Sequence, residues 1–555
     1  MTPPALLNVA AHVPALARSR PHAPAVVCPV RRRRGRVAYV HYTFAQLDEA
    51  SDRLAHALMA AGIRRGARTV LMVTPSLEFF ALTFALFKLG AVLVLIDPGM
   101  GVRNLGRCLA EAEPEAFVGI PKAHLARRLL GWARRTLRVL LTTGRATPGG
   151  GERSLDRLAE SVKPGQPFPM AEPAADETAA ILFTSGSTGP AKGAVYTHGT
   201  FAAQIELLRR LYDIGPGEID LCTFPLFALF GPALGMTAVI PDMDATRPAR
   251  ADPRKLIEAI EDFGVTNLFG SPALLNRLGR YGVENCVKLP TLKRVISAGA
   301  PVPATTIERV TQMLAPGVQV FTPYGATEAL PVASIGSDEI LNETRFATEK
   351  GAGVCVGRPV EGVRVEVIRI SDEPIPTWDD SLTAPAGAVG EVAVRGPQVT
   401  RRYYNRPEAD ALAKVADSAA DEVVHRMGDL GYFDDRGRLW FCGRKAHRVV
   451  TPNETFFTIP CEGVFNTHPQ VFRTALVGVS RGGVTEPVLC VELEPAAAGA
   501  DRETVRRELL EIGAAHARTR SIRTILFHPA FPVDIRHNAK IFREKLAAWA
   551  AGRLR

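Results

Sequence analysis

Short apolar runs alternate with longer stretches of helical periodicity through most of this chain, and that alternation constrains its architecture more than any other feature. A strand that reads as a continuous apolar run must be covered on both faces, and the intervening helices are the natural cover, so the pattern predicts largely parallel sheets in an α/β protein. Strand candidates fall at 25–28, 70–73, 91–96, 139–141, 179–183, 221–224, 267–269 and 294–297. At about 150 residues per domain, the 555 residues leave room for roughly four domain-sized units. With 46% apolar and 22% charged residues, a wholly disordered or fibrous chain is excluded.

The longest apolar stretch, 79–96, approaches the length of a membrane span but carries Lys88 and Gly90 inside it. A helix over 76–89, stopped by Gly90 and followed by a buried strand over 91–96, accounts for it better. The amino terminus shows no basic segment leading into an unbroken apolar core, so no secretory signal is expected. The eight cysteines are scattered without a CxxC pair, which argues for reduced thiols in a cytoplasmic protein. A net charge of +10 permits an anionic partner without demanding nucleic acid, since the basic residues are dispersed. Residues 31–34, all arginine, lie between two strand-like stretches and read as a solvated hairpin tip. The segments 145–177 and 372–390, rich in Pro, Gly and acidic residues, read as long surface connections.

After the apolar run 179–183 comes TSGSTGPAKG, from Thr184 to Gly193. Glycines allow close backbone approach, hydroxyls and N–H groups donate to phosphate oxygens, and Lys192 adds positive charge, so this loop is a phosphate-binding candidate. A strand before it and a strand-then-helix pattern after it set it apart from a linker. It is not a P-loop of the GxxxxGK[ST] kind, because the spacing fails.

At this loop the sequence begins to resemble the adenylate-forming superfamily of acyl-CoA synthetases, luciferases and nonribosomal adenylation domains, and the resemblance continues in order down the chain. Thr184, Ser185, Gly186, Ser187, Thr188, Gly189 and Lys192 are similar to its phosphate loop. Ser297-Ala298-Gly299-Ala300-Pro301 resembles the segment lining its adenine pocket. Tyr324-Gly325-Ala326-Thr327-Glu328 matches its YGxTE motif. The resemblance implies that Tyr324 packs on adenine, Thr327 meets the α-phosphate and Glu328 holds Mg2+, roles that suit an aromatic face, a hydroxyl and a hard carboxylate. Gly390-Glu391-Val392 fits a family strand, Asp429 in Gly428-Asp429-Leu430-Gly431-Tyr432 is expected on the ribose hydroxyls, and Arg444 after Gly443 is expected to reach the same ribose. Lys540, in Asn538-Ala539-Lys540-Ile541-Phe542-Arg543, is expected to neutralise charge during adenylation. ATP and Mg2+ are thus the implied cofactors. The fold implied is α/β: a large N-terminal domain over residues 1–444, with a β-barrel-like subdomain, and a small mobile α+β domain over 445–555.

Three departures separate this chain from the acyl-CoA synthetases. The segment Phe224-Pro225-Leu226-Phe227-Ala228-Leu229-Phe230-Gly231 carries Ala228 where many members have histidine. Phe227, Ala228, Leu229 and Phe230, with Gly299, are therefore expected to line an apolar acid-binding pocket. Ala446 occupies the usual hinge position, and no glycine follows until Gly463, which is expected to obstruct a pantetheine tunnel. Ala539 stands where the family has glycine. Together these features resemble the β-lactone-forming branch of bacterial long-chain olefin biosynthesis. Its substrate is a 2-alkyl-3-hydroxyalkanoic acid whose own 3-hydroxyl expels AMP. The resemblance implies a long-chain β-hydroxy acid as small-molecule substrate, with the pathway's thiolase, reductase and β-lactone decarboxylase as partners, and no transmembrane segment or nucleic acid. The alkyl arms are expected along 201–212 and 227–236, with His198 and His447 as conceivable proton acceptors. The alternatives are a long-chain fatty acyl-CoA synthetase and a catalytically silent adenylate-binding scaffold.

Overall fold

A computed structural model of the protein describes residues 7–30, 36–146, 149–184, 190–224, 230–534 and 540–554. Each of the eight expected strands is present, from Pro24–Val30 to Arg294–Ile296, with ends shifted by one or two residues at most positions. The apolar stretch near residue 90 divides as its residues dictate. Ser76 caps the helix Leu77–Leu89 by accepting from the Phe79 N–H, and Gly90 ends it in the left-handed region at φ 73°. Strand Val92–Ile96 follows. Lys88 is buried in that helix, and its ammonium meets Asp48 at 2.5 Å and Asp52 at 2.6 Å on the neighbouring helix Phe44–Ala60. No helix among the described residues is long and apolar enough to cross a membrane. All eight cysteines are free thiols.

Among the described residues, two large sheets carry the architecture. One has seven strands, parallel except for the hairpin Thr178–Thr184 with Lys192–Thr197, where Thr184 pairs with Lys192 across the loop. The other runs through fourteen strands. Its parallel half sets Ile219–Cys222, Asn267–Phe269, Arg294–Ile296 and Gln319–Ala326 side by side. At Gln319–Ala326 the chain reverses into Ala329–Gly336, and from there the sheet continues antiparallel. This antiparallel run stands where the barrel-like unit is expected; its strand order among the described residues is open, and its hydrogen bonding is continuous with the parallel half.

Beyond Arg444 a three-stranded sheet of Val471–Arg481, Val484–Leu493 and Thr524–Phe527 packs against helices Thr458–Phe465, Arg502–Ala514 and Arg543–Arg553, enclosing apolar clusters of its own. One expectation needs correction. The segment 145–177 is not loop throughout, because Arg153–Ser154 adds an edge strand and Leu155–Glu160 forms a helix whose Leu155 and Ala159 are buried. Burial of two apolar side chains four residues apart outweighs the polar composition around them.

Candidate active site

The carboxyl ends of parallel strands leave loops free to converge on a ligand, and here they release residues 297–301 and the hairpin that follows Tyr324. Ala326 pairs with Ala329, so Thr327 and Glu328 form a two-residue hairpin turn that displays the glutamate. Gly325 is required there. A Cβ on it would stand 2.7 Å from both the Ala329 carbonyl oxygen and Leu330 Cδ1. Gly299 takes φ +99° in an exposed loop, with Ala300 half-buried and Pro301 exposed beside it.

Asp429 and Arg444 face each other across the antiparallel strands Glu422–Phe433 and Leu439–Arg444. Arg444 Nη1 donates to Asp429 Oδ1 at 2.8 Å, and the Tyr324 hydroxyl donates to Asp429 Oδ2 at 2.7 Å. One carboxylate therefore ties an aromatic ring from the parallel half of the sheet to a guanidinium at the end of the antiparallel half. Burial, reinforced by Asp429, raises the Tyr324 phenol well above its ordinary range, so it stays a donor. Arg444 Nε and Ser297 Oγ are buried with no partner among the described residues, a pattern expected where a polar ligand completes the hydrogen bonding.

Glu328 Oε1 accepts from the Tyr403 hydroxyl at 2.6 Å. The Lys192 ammonium stands 5.0 Å from the centroid of the same tyrosine ring, and burial lowers its pKa while Glu328 opposes the shift. Lys540 comes from the other end of the chain. Its carbonyl accepts from the Asp534 N–H at 2.9 Å, and Val533 bridges to Ile541. Burial lowers the Lys540 pKa, opposed by Asp534, Asp429 and Glu328, while Arg444 adds to the lowering. The cluster thus gathers Lys192, Arg444 and Lys540 around Asp429 and Glu328, leaving an excess of positive charge suited to a polyanion.

The structure brings together Tyr324, Glu328, Asp429, Arg444, Lys192 and Lys540, which the sequence motifs had singled out one by one. Thr327 contributes its carbonyl to the Tyr196 hydroxyl. Ser185, Gly186, Ser187, Thr188, Gly189, Phe227, Ala228 and Leu229 lie outside the described residues. Phe230 begins the short helix Phe230–Ala233, its ring 6.1 Å from that of Phe201. Phe201 is itself buried against Tyr196 and Phe87, and Ile205, Leu207, Leu234 and Met236 are core residues, so these described members of the surfaces expected to hold alkyl arms are packed against the protein's interior. His198 is fully buried with its ring edge-on to Phe87, and Glu177 and Arg65 are its charged neighbours, which removes it as a proton acceptor at this cluster. His447 lies 3.5 Å from Glu544 on the last helix, and burial holds its pKa down at about 4. Glu391 is buried on Arg426 and Lys445 and serves the fold. Sequence reasoning missed Thr400, Tyr403 and Lys414, which surround Glu328; an aromatic pair followed by a proline-led helix was the available signal.

Comparison with known proteins gives the following. The model of the AMP-binding enzyme family matches residues 14–404. The chain is 53% identical over 551 residues to an olefin beta-lactone synthetase of Xanthomonas campestris pv. campestris, covering 98% of each chain. It is 52% identical over 553 residues to an olefin beta-lactone synthetase of Stenotrophomonas maltophilia, covering 99% of this chain and 98% of the relative. Among solved structures, an amide bond synthetase from Marinactinospora thermotolerans superposes with a TM-score of 0.79 at 25% identity, over 98% of this chain and 99% of that one.

Proposed function

The chain belongs to the family of AMP-binding enzymes, and from that membership we propose that it activates a long-chain 2-alkyl-3-hydroxyalkanoic acid with MgATP and closes it to a β-lactone. The observation that carries this reading is the half-identity, over essentially the whole chain, to two proteins named olefin beta-lactone synthetase. The site chemistry agrees with it. In the first half-reaction a carboxylate oxygen bonds to the α-phosphorus of ATP as the bond to pyrophosphate breaks, giving an acyl adenylate. In the second, the substrate's 3-hydroxyl oxygen bonds to the acyl carbon as AMP leaves, and the hydroxyl proton passes to solvent. The nucleophile is part of the same molecule, so no second substrate has to be bound and oriented, and the activated acyl adenylate offsets the strain of the four-membered ring.

In this reading Asp429 and Arg444 hold the ribose hydroxyls, and the Arg444 Nε gains the acceptor it lacks among the described residues. Tyr324, fixed through its hydroxyl to Asp429, offers its ring to the base, beside the loop carrying Ser297, Gly299, Ala300 and Pro301. Lys192 and the loop from Thr184 to Gly189 take the phosphates. Glu328 suits Mg2+, because Tyr403 occupies Oε1 and leaves Oε2, while a magnesium ion prefers one or two carboxylates with phosphate and water oxygens completing its shell. When bound, Mg2+ supplies Lewis-acid stabilisation of phosphate charge. Lys540 balances the charge that develops between carboxylate and phosphate. The domain boundary at Arg444 and a cytoplasmic assembly with the pathway's thiolase, reductase and β-lactone decarboxylase complete the proposal.

Mass spectrometry of products from the purified protein, MgATP and a 2-alkyl-3-hydroxy acid, with and without CoA, tests it. Lactone and AMP without CoA are expected. A CoA thioester, with only trapped adenylate in its absence, would return the protein to the acyl-CoA synthetases.

A further inference from the structure

The residues that grip Glu328 come from one short segment, 400–414, which lies outside the motifs named above. The Thr400 N–H donates to the Glu328 carbonyl at 2.8 Å and its hydroxyl to the same oxygen at 3.2 Å, while the Tyr403 hydroxyl holds Oε1. Backbone and side chain of the glutamate are therefore fixed from the same side. The segment is in turn stitched to the strand that bears Lys192. Ala194 bridges to Tyr403, the Tyr404 N–H donates to the Gly193 carbonyl at 2.8 Å, and the Val195 N–H donates to the Arg402 carbonyl at 3.1 Å. Asp410 accepts from the Tyr403 N–H at 2.7 Å. Lys414 closes the arrangement by donating to the Thr400 carbonyl and, at 3.1 Å, to its hydroxyl. The ring of Tyr403 then has two ammoniums near it, Lys192 at 5.0 Å and Lys414 at 5.4 Å from its centroid.

A glutamate on a hairpin turn has three side-chain torsions to fix before it can hold a cation, and a lysine has four. Both losses fall on binding unless the protein has already made them. The Tyr403 hydroxyl fixes one of these groups and the Tyr403 ring attracts the other. Because both act through a single side chain, the spacing between carboxylate and ammonium is set once.

We propose that Tyr403 is a positioning residue that fixes the Glu328 carboxylate and the Lys192 ammonium as one unit, braced from behind by Thr400 and Lys414. The inference rests on the reading of Glu328 as the cation's carboxylate and Lys192 as a phosphate contact. Tyr403→Phe keeps the ring and removes the bond to Glu328. Tyr403→Leu removes both.

The test is Mn2+ binding followed by electron paramagnetic resonance in the presence of α,β-methylene-ATP, alongside the Mg2+, ATP and acid dependence of pyrophosphate release. For Tyr403→Phe, an affinity for Mn2+ weakened about tenfold is expected, with a matching rise in the Mg2+ needed for half-maximal rate and an unchanged KM for the acid. Tyr403→Leu is expected to raise the KM for ATP as well. Lys414→Met is expected to shift Mn2+ affinity in the same direction by a smaller factor, and Lys414→Arg to restore it. Tyr403→Phe with unaltered Mn2+ affinity, where Glu328→Gln weakens it, overturns the positioning role alone. Glu328→Gln with unaltered Mn2+ affinity overturns the underlying reading of the glutamate. A lowered melting temperature with all affinities intact would mean that Tyr403 serves only the fold, and that too overturns the proposal.

Discussion

Gly325 carries the hairpin turn that presents Glu328, and a Cβ there meets a carbonyl oxygen and a leucine methyl at 2.7 Å. Gly325→Ala is expected to cost about 1–3 kcal/mol in urea unfolding, as overpacking does, and to lower pyrophosphate release by a larger factor because the turn itself must move. In the proposed reading Lys540 acts through charge. Lys540→Ala is expected to slow adenylation on the order of 100- to 1,000-fold, the scale of losing one preorganised electrostatic partner, while lactone formation from a synthetic acyl adenylate is retained. Rapid-quench analysis of the two half-reactions checks this, and equal loss in both would remove the lysine's assignment to the first. Asp429 joins Tyr324 to Arg444, so Asp429→Ala is expected to weaken nucleotide binding about tenfold or more in calorimetry. These residues were legible in sequence because each sits in a contiguous motif whose residue types state their chemistry. Tyr403 and Lys414 were not, because Tyr403 meets Glu328, and Lys414 braces it through Thr400, only across more than seventy residues of sequence.

At the scale of elements, the helix Leu77–Leu89 shows how a sequence that could be read as membrane-spanning resolves into a buried helix and strand. Its one lysine is neutralised from outside by Asp48 and Asp52 on the adjoining helix. Lys88→Met leaves two carboxylates facing each other in a poorly solvated space, and a loss of about 3–5 kcal/mol is expected in denaturant unfolding. The first turn of the same helix carries Glu78, whose pKa is raised to about 7, chiefly by burial and secondarily by Asp156. A raised carboxyl pKa means that the folded state holds a proton the unfolded state has released. Stability from this group is therefore complete below about pH 4.5 and is lost as pH rises toward 7. Glu78→Gln is expected to gain up to about 3 kcal/mol over the parent protein at pH 8 and little at pH 4, measured by thermal unfolding across that range. A flat difference across pH would count against the shift.

For the whole molecule, the connector after Arg444 joins the large sheet to the part of the chain that carries Lys540. It is pinned on both sides of Ala446: the Lys445 ammonium donates to the Ser371 carbonyl at 2.6 Å and pairs with Glu391 at 3.1 Å, and Arg448 pairs with Asp372. Farther on, Arg280 of the helix Pro272–Glu284 reaches Glu494 at 3.4 Å. Lys445→Ala combined with Arg448→Ala is expected to raise the rate of limited proteolysis between residues 444 and 458 by about tenfold, because local opening no longer breaks the buried Lys445–Glu391 pair or the more exposed Arg448–Asp372 pair. An unchanged rate would show that packing alone holds the connector. By itself the sequence determined the layered α/β architecture, the break at Gly90 and the motif residues, since apolar periodicity, glycine conformation and contiguous site chemistry are local properties. Only the tertiary structure decided that His198 is a core residue, that the apolar faces of 201–212 are spent on the interior, and that Tyr403 couples Glu328 to Lys192. Those outcomes depend on which distant surfaces meet, and burial and contact between distant segments are not written in any one stretch of chain.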